Sequence, residues 1–403
     1  MRLIKHIKAS NLLSFGHNGL DLELRDLNVL IGPNGSGKSN FLEIFEVLRS
    51  LPRNEEDSNN LSALIARGGG AEEWKCKANI FPTSGKRYIF PVADFEIVIS
   101  DPVILKEDFI EHKFSLDFDE RPLPVISKES IEEISNNNDA NISNYYTRES
   151  SLKGFSIWNN QSQQTQTLNS TPHTLSILSQ RFTNQGIFIL TYNYERIRLY
   201  REWSFGRNSI FRTPQRADLR NDRLESDFSN LGMFLSRLRK DPPTKRALVT
   251  ALQDLYEGIT DFEVITEGGT VQIFFTEGDF SIPATRLSDG TLRYLCLVAL
   301  LLDPNPPPLI CIEEPELGLH PDILPKIADL LVEASTRTQL VVTTHSDVLI
   351  DALSSQPESV LVCEKHDGKT QIKRLDRADI AHWLEDYRLG QLWTRGEIGG
   401  TRW

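Results

Sequence analysis

Hydrophobic positions recur along this chain with two periods, and the switch between them marks its parts. Leu3, Ile4 and Ile7, then a strict apolar–acidic alternation over Leu20–Leu24, predict strands joined by a turn near Gly16–Gly19. The unbroken apolar run Leu27–Ile31 predicts a buried strand, after which Phe41, Ile44, Phe45 and Leu48 share one face of a helix. Residues 51–72 are polar and Gly-rich, a connection. Tyr88–Phe90 and Phe95–Ile99 read as strands of an antiparallel layer. From about residue 127 to 172 Asn, Ser, Gln and Thr dominate, including Asn136–Asn138 and the run QSQQTQT. Such a stretch has little apolar surface to bury, and the expectation is a mobile loop or a set of short surface hairpins.

A short apolar run, Ile187–Leu190, opens an arginine-rich region with helical period that continues to Arg246 and places Leu231, Phe234, Leu235 and Leu238 on one face. Beyond residue 260, Phe262–Ile265 and Val271–Phe275 predict a hairpin across the Glu-Gly-Gly turn at Glu267. Leu292–Leu302 predicts a buried helix, and Leu309–Ile312 and Leu340–Thr343 predict short buried strands. A last hairpin is expected near Val360–Val362 and Gln371–Lys373, turning at Asp367-Gly368. No heptad pattern lasts three or four repeats, so no long coiled coil is expected. The division that results is an N-terminal half-domain over 1–100, an insertion over 101–259 (polar at 127–172, arginine-rich at 187–246), and a C-terminal half-domain over 260–403.

Composition narrows the class. With 403 residues, 39% hydrophobic and 25% charged, the chain is of ordinary globular type. Its longest apolar run, Leu295–Leu302, is too short for a bilayer, and the opening MRLIKHIKAS has no uninterrupted apolar core of a secretory signal, so a cytoplasmic protein without a membrane partner is expected. Cys76, Cys296, Cys311 and Cys363 lack C-x-x-C spacing and read as reduced core residues. The net charge of −12 argues against a uniformly basic surface and leaves local patches open.

Chemistry concentrates in four places. GPNGSGKS, Gly32–Ser39, is a complete G-x-x-x-x-G-K-[ST] run between a strand and a helix, the context a phosphate cradle requires. Gly32, Gly35 and Gly37 let backbone N–H groups converge on phosphate oxygens, and Asn34, Gly35, Ser36, Gly37, Lys38, Ser39 and Asn40 are the expected nucleotide contacts. Lys38 pairs with the β and γ phosphates and Ser39 ligates Mg2+ in that scheme. LICIEEPELGLHP, residues 309–321, delivers two carboxylates from a buried strand: Glu313 for the metal and Glu314 to orient and deprotonate a water. RLSDGTLRYL, residues 286–295, sets Ser288 and Gly290 at a helix start, although Ser-Asp-Gly-Thr is equally an ordinary turn and N-cap. In VVTTHSD, residues 341–347, His345 ends a strand and fits a γ-phosphate sensor.

Taken together with the opening IKASNLLSF, the runs GPNGSGKS, LSDGT, ICIEEPELGLHP and TTHSD resemble the RecF/SMC branch of ABC-type ATPases, in particular its small bacterial and archaeal members. The resemblance covers about 1–100 and 260–403. It implies an α/β fold, an ABC/SMC-type P-loop ATPase head with an antiparallel β layer and a helical insertion. It further implies slow ATP hydrolysis with Mg2+ and a homodimer that sandwiches ATP between two heads, Ser288 and Gly290 acting on the other subunit's nucleotide. Similar ATPases often accompany a separately encoded TOPRIM-type nuclease, which points to DNA repair or antiviral defence. Departures are Glu313 where aspartate is usual, Asp289 within the signature, and no identifiable Q-loop glutamine. The rival readings are a non-hydrolytic ATP switch or scaffold and, third, a transporter ATPase subunit.

From Tyr194 to Arg246 the chain carries 13 Lys/Arg against 7 Asp/Glu. Tyr192, Tyr194, Tyr200, Trp203, Phe205 and Phe211 are interleaved with the arginines, a composition suited to DNA contact or to a partner surface, and equally to a solvated face with internal ion pairs. Trp383, Trp393 and Trp403 of the tail are expected to dock onto their own domain.

Overall fold

The computed structural model describes residues 2–401 except 80, 83–87, 90, 102, 106–107, 119–122, 136–142, 150–154, 160–163, 169–171, 181–183, 204–205, 207–208 and 210–211. The strands are β1 Ile4–Ser10, β2 Leu20–Glu23, β3 Leu27–Ile31, β4 Phe81–Pro82, β5 Tyr88–Ile89, β6 Ala93–Ile99, β7 Phe109–Asp117, β8 Val125–Ile134, β9 Ser143–Glu149, β10 Phe155–Asn159 and β11 Gln164–Leu168. They continue with β12 Arg198–Tyr200, β13 Gln215–Arg216, β14 Ile259–Glu267, β15 Thr270–Glu277, β16 Phe280–Pro283, β17 Leu309–Glu313, β18 Gln339–Thr343, β19 Val360–His366 and β20 Lys369–Arg374. The helices are α1 Lys38–Ser50, α2 Leu61–Arg67, α3 Ala71–Trp74, α4 Gln185–Tyr194, α5 Leu231–Leu238, α6 Pro242–Leu255, α7 Asp289–Leu301, α8 Leu324–Ser335, α9 Asp347–Ala352, α10 Arg377–Leu384 and α11 Leu389–Thr394.

A six-stranded sheet in the order β12-β17-β18-β3-β19-β20 is parallel except for β20. Its strands are apolar on both faces because both faces are covered. Leu30, Cys311, Val341 and Leu361 point into one hydrophobic core with α1, α4 and the antiparallel layer, whereas Val29, Ile31, Ile310, Ile312 and Val342 point into a second with α7, α8 and α9. Asn28 is polar at a fully buried position on β3, and it is satisfied there by the carbonyls of Arg25 at 2.6 Å and Leu340 at 3.1 Å. The final hairpin turns at Asp367 and Gly368, both with positive φ, as a type I′ connection requires.

Eight strands, in the order β11-β10-β9-β8-β7-β6-β1-β2, form the antiparallel layer. The polar stretch 127–172, expected as a mobile loop or a set of short surface hairpins, takes the second form: β8, β9, β10 and β11 pair antiparallel in chain order, and β8 joins them to the sheet by pairing with β7 along its length. What composition does not show is that part of this stretch is buried, where polar groups satisfy one another. Glu129 is 1% exposed and accepts from the Ser176 hydroxyl, from Ile177 N at 3.0 Å and from His112 Nε2 at 3.2 Å, while His112 Nδ1 lies 3.3 Å from the Tyr194 hydroxyl.

A third sheet pairs β15 with β14 along most of its length and with β13 and β16 at its two ends. The expected hairpin turns at Gly268-Gly269, where positive φ favours glycine. Within the stretch of helical period, α4 and α5 form as that period suggests, but Arg198–Tyr200 is a strand that adds to the parallel sheet beside β17. Among the described residues no helix is long and apolar enough to cross a membrane, and no long coiled coil occurs. All four cysteines are buried and unpaired, and burial pushes the Cys363 thiol up to about 12.

Candidate functional site

The order of the parallel strands decides which residues meet. β12, β17, β18 and β3 lie side by side, so Arg201, Glu313, Glu314, His345 and the loop Gly32–Gly37 all leave the sheet at its C-terminal edge, where open α/β sheets bind ligands.

The loop is shaped from below. A Cβ on Gly32 would lie 2.2 Å from the Cys363 carbonyl and one on Gly37 2.1 Å from Thr370 Oγ1, so both glycines are required by close approach. Gly35 differs: its φ of +78° favours glycine, but a Cβ there meets nothing within 4 Å, so this side of the loop is open. Thr370 Oγ1 lies 2.6 Å from Ser14 Oγ and 2.7 Å from the Ser36 carbonyl, tying β20 to the loop. The Ser36 hydroxyl is buried and has no hydrogen-bond partner among the described residues. Asn40 is turned toward Ser14, donating to its hydroxyl at 2.7 Å. Asn34 lines a cleft of about 450 Å³ together with Pro33, His345, Asp347 and Trp393.

Lys38 is the first residue of α1, and its ammonium donates to the carbonyls of Gly32 at 2.7 Å and Pro33 at 3.2 Å. Burial lowers its pKa, opposed by Cys363 and by the carboxylates Glu314, Glu313 and Glu316. The Ser39 hydroxyl donates to Glu313 Oε1. A hydroxyl and a carboxylate in contact form a hard-oxygen donor pair that suits Mg2+, an ion that keeps waters and takes substrate phosphate for its other positions. Among the described residues no group of three or more His, Cys, Asp or Glu could hold a metal.

Glu314 has φ of +48°, a conformation uncommon for residues other than glycine and found preferentially at functional sites. Its backbone N–H donates to the Thr343 carbonyl at 3.0 Å, and its Oε1 lies 3.4 Å from His345 Nε2. Glu316 accepts from the His345 backbone N–H at 2.6 Å and is pushed above the usual carboxylate range by burial. The His345 imidazole is shifted down by burial and by the Lys38 charge, against the pull of Glu314.

The signature turn is arranged differently. Ser288 caps α7, accepting from Thr291 N at 3.1 Å, and its hydroxyl lies 2.9 Å from that of Thr291. Asp289 pairs with Arg212 at 2.5 Å, so its charge is neutralised locally. A Cβ on Gly290 would lie 3.0 Å from the Gly318 carbonyl, in the loop that follows the carboxylates. Among the described residues no hydrogen bond or ion pair joins Ser288 or Gly290 to residues 32–40.

Arg201 was not singled out from the sequence, and Trp203 was named there only among the interleaved aromatics. Arg201, at the end of β12, donates from Nε to Glu313 Oε2 at 2.8 Å and from a terminal nitrogen to Glu43 at 2.6 Å, and Trp203 Nε1 donates to the Glu313 carbonyl at 2.7 Å. Neither belongs to a motif; the signal is their position after a strand too short to read from periodicity. Of the interleaved aromatics, Tyr194 and Tyr200 are core residues, 0% and 1% exposed, and cannot stack on bases. Tyr192 is exposed, stacks on Phe188 at 6.0 Å and carries Arg196 over its ring at 4.8 Å. Phe205, Phe211 and Trp403 lie outside the described residues. Trp393 docks on its own domain, donating to the Gly400 carbonyl at 3.0 Å, and the hypothetical Cβ of Gly400 lies 3.5 Å from Gly32 Cα.

The chain is similar in fold to the Smc head bound to the C-winged helix domain of ScpA, with 15% identity and a TM-score of 0.53 over 94% of this chain and 99% of that one. It is likewise similar to an Smc head domain with an extended coiled coil bound to the C-terminal domain of ScpA from Pyrococcus furiosus, with 13% identity and a TM-score of 0.51 over 96% and 99%. No curated protein matches the sequence. The fold is thus that of an ABC/SMC-type P-loop ATPase head. Residues 27–351 match the family described as "AAA domain, putative AbiEii toxin, Type IV TA system", and the chain belongs to that family.

Proposed function

We propose that this protein binds ATP with Mg2+ at the Gly32–Ser39 loop and hydrolyses it slowly. The observation that carries this reading is the convergence of Lys38, Ser39, Glu313, Glu314 and His345 at one sheet edge, with the Ser39 hydroxyl on Glu313 and Glu314 3.4 Å from His345. The loop N–H groups and the start of α1 hold phosphate oxygens, and Lys38 turns from the Gly32 and Pro33 carbonyls toward them. Bound Mg2+ supplies charge neutralisation on the phosphates. Glu314 accepts the proton of the attacking water, and the neutral His345 donates a hydrogen bond on the γ-phosphate side. Asn34 completes the rim of the cradle, and Asn40 braces it through Ser14.

Among the described residues the signature turn makes no bond to the cradle of its own chain, which favours its use on a second copy: two heads face each other, and Ser288 and Gly290 close the partner head's site. The output of that closure is control of DNA or of a separately encoded effector such as a TOPRIM-type nuclease. The exposed Phe188 and Tyr192 of α4, with the half-buried Arg196 just beyond the helix over the Tyr192 ring, are a suitable contact for either. The family's description names a toxin–antitoxin system, which favours defence over repair. The test is phosphate release from the purified chain with ATP and Mg2+, alongside its mass in solution. Absence of both turnover and an ATP-dependent rise in mass overturns the proposal.

A further inference from the structure

Arg201 holds a position where a cation matters most. Its guanidinium is divided between Glu43 on α1 and Glu313, whose second oxygen takes the Ser39 hydroxyl, so both oxygens of Glu313 are committed. The three side chains involved are only 18–24% exposed, so solvent screens the contacts poorly. Burial works against the guanidinium charge, but Glu43 and Glu313 outweigh it and hold Arg201 above the ordinary arginine value. Trp203 grips the Glu313 backbone, stacks on Phe228 with centroids 5.2 Å apart and lies 4.5 Å beneath the guanidinium of Arg293 on α7. Arg293 in turn reaches the Glu314 carbonyl at 3.5 Å. One short segment therefore contacts the side chain and the backbone of the metal-facing carboxylate and the helix that Ser288 caps.

A divalent ion bound by Ser39 and Glu313 would sit beside this guanidinium. Two cations on one poorly solvated carboxylate repel, and each weakens the hold of the other. We propose that Arg201 and Mg2+ compete for Glu313, which makes Arg201 a positioning residue that sets how much Mg2+ the site needs and couples metal loading to the Arg201–Trp203 segment. This rests on the phosphate-site reading above. Competition gives residues 201–203 two arrangements, one on the carboxylate and one released, and a two-arrangement element is what coupling between sites requires.

The test is binding, not turnover. The full chain is titrated with Mn2+ at a fixed concentration of a fluorescent ADP analogue, with free Mn2+ read by electron paramagnetic resonance. Arg201→Gln is expected to lower the half-saturating Mn2+ concentration about tenfold, the scale of one close charge pair at a partly solvated site. Arg201→Met, which keeps the packing of the stem, is expected to do the same, and Arg201→Lys to stay within about threefold of the parent because the charge remains. Unchanged or weaker Mn2+ binding in the Gln and Met variants overturns the competition. A parent protein that binds no nucleotide with any metal overturns the phosphate-site reading itself, so the two failures are distinguishable.

Discussion

Two parts of the nucleotide machinery contrast sharply. The cradle and its carboxylates are joined across the chain: Ser39 reaches Glu313, Thr370 reaches the Ser36 carbonyl, and Arg201 reaches both Glu43 and Glu313. The signature turn makes no bond to the cradle among the described residues: Ser288 bonds Thr291, and Asp289 bonds Arg212, 77 positions earlier in the chain. The first part is bound to its chemistry within one chain, whereas among the described residues the second has no bond to that chemistry. A division of this kind is what a site shared between two copies needs, and each prediction below tests one side of it.

The largest effect is expected at Glu314. Glu314→Gln removes the base while keeping the shape, and turnover is expected to fall about 10³-fold, within the range for general-base removal, with ATP-dependent dimers accumulating. Stopped turnover without dimers would break the link between closure and hydrolysis. Lys38→Ala comes next: loss of a buried charge-assisted contact is expected to weaken ATP binding about 10²-fold by fluorescence titration.

Mixing addresses the contrast itself. Chains carrying Ser288→Arg and chains carrying Lys38→Ala are each expected to be inactive alone, yet a 1:1 mixture should recover about a quarter of parental turnover if one chain's signature serves the other's cradle. No recovery would place Ser288 in service of its own chain. The milder Ser288→Ala should also cost about 1 kcal/mol of stability, seen as a lower Tm, because it removes the cap of α7.

The smallest effect concerns pH. His345 is held below the ordinary histidine value by burial and by Lys38, so the unfolded chain binds its proton more readily than the folded one. Stability from the neutral ring is therefore complete above about pH 6.5 and is lost as the pH falls through the lowered value. His345→Gln should flatten that part of a Tm-against-pH curve; an unchanged slope would show that another group titrates there.

Legibility in the sequence followed the locality of the signal. The strand–loop–helix of the cradle, the strands at Leu309–Glu313 and Gln339–Thr343, the helix beginning at Asp289 and the hairpins near Glu267 and Asp367 all follow from period and turn chemistry within a dozen residues. In the polar stretch 127–172 the hairpins were legible but their burial was not, because Glu129 acquires its partners His112 and Ser176 from elsewhere in the chain. Arg201 was invisible because β12 is three residues long, below the length at which alternation can be read. The aromatics Tyr194 and Tyr200 looked available for stacking because sequence spacing does not report which face is buried.

By itself, then, the sequence determined the nucleotide chemistry: glycines where backbone must approach phosphate, a lysine and serine at a helix start, and two glutamates at the end of a buried strand. Each depends on conformations a few residues long, which local sterics and periodicity dictate. Only the tertiary structure decided which strands are neighbours, and with that the meeting of Arg201 with Glu313, of Glu314 with His345 and of Thr370 with the cradle. Those contacts join residues about 30 to more than 300 positions apart, and strand order is set by the burial of two whole sheet faces, a balance no local pattern contains.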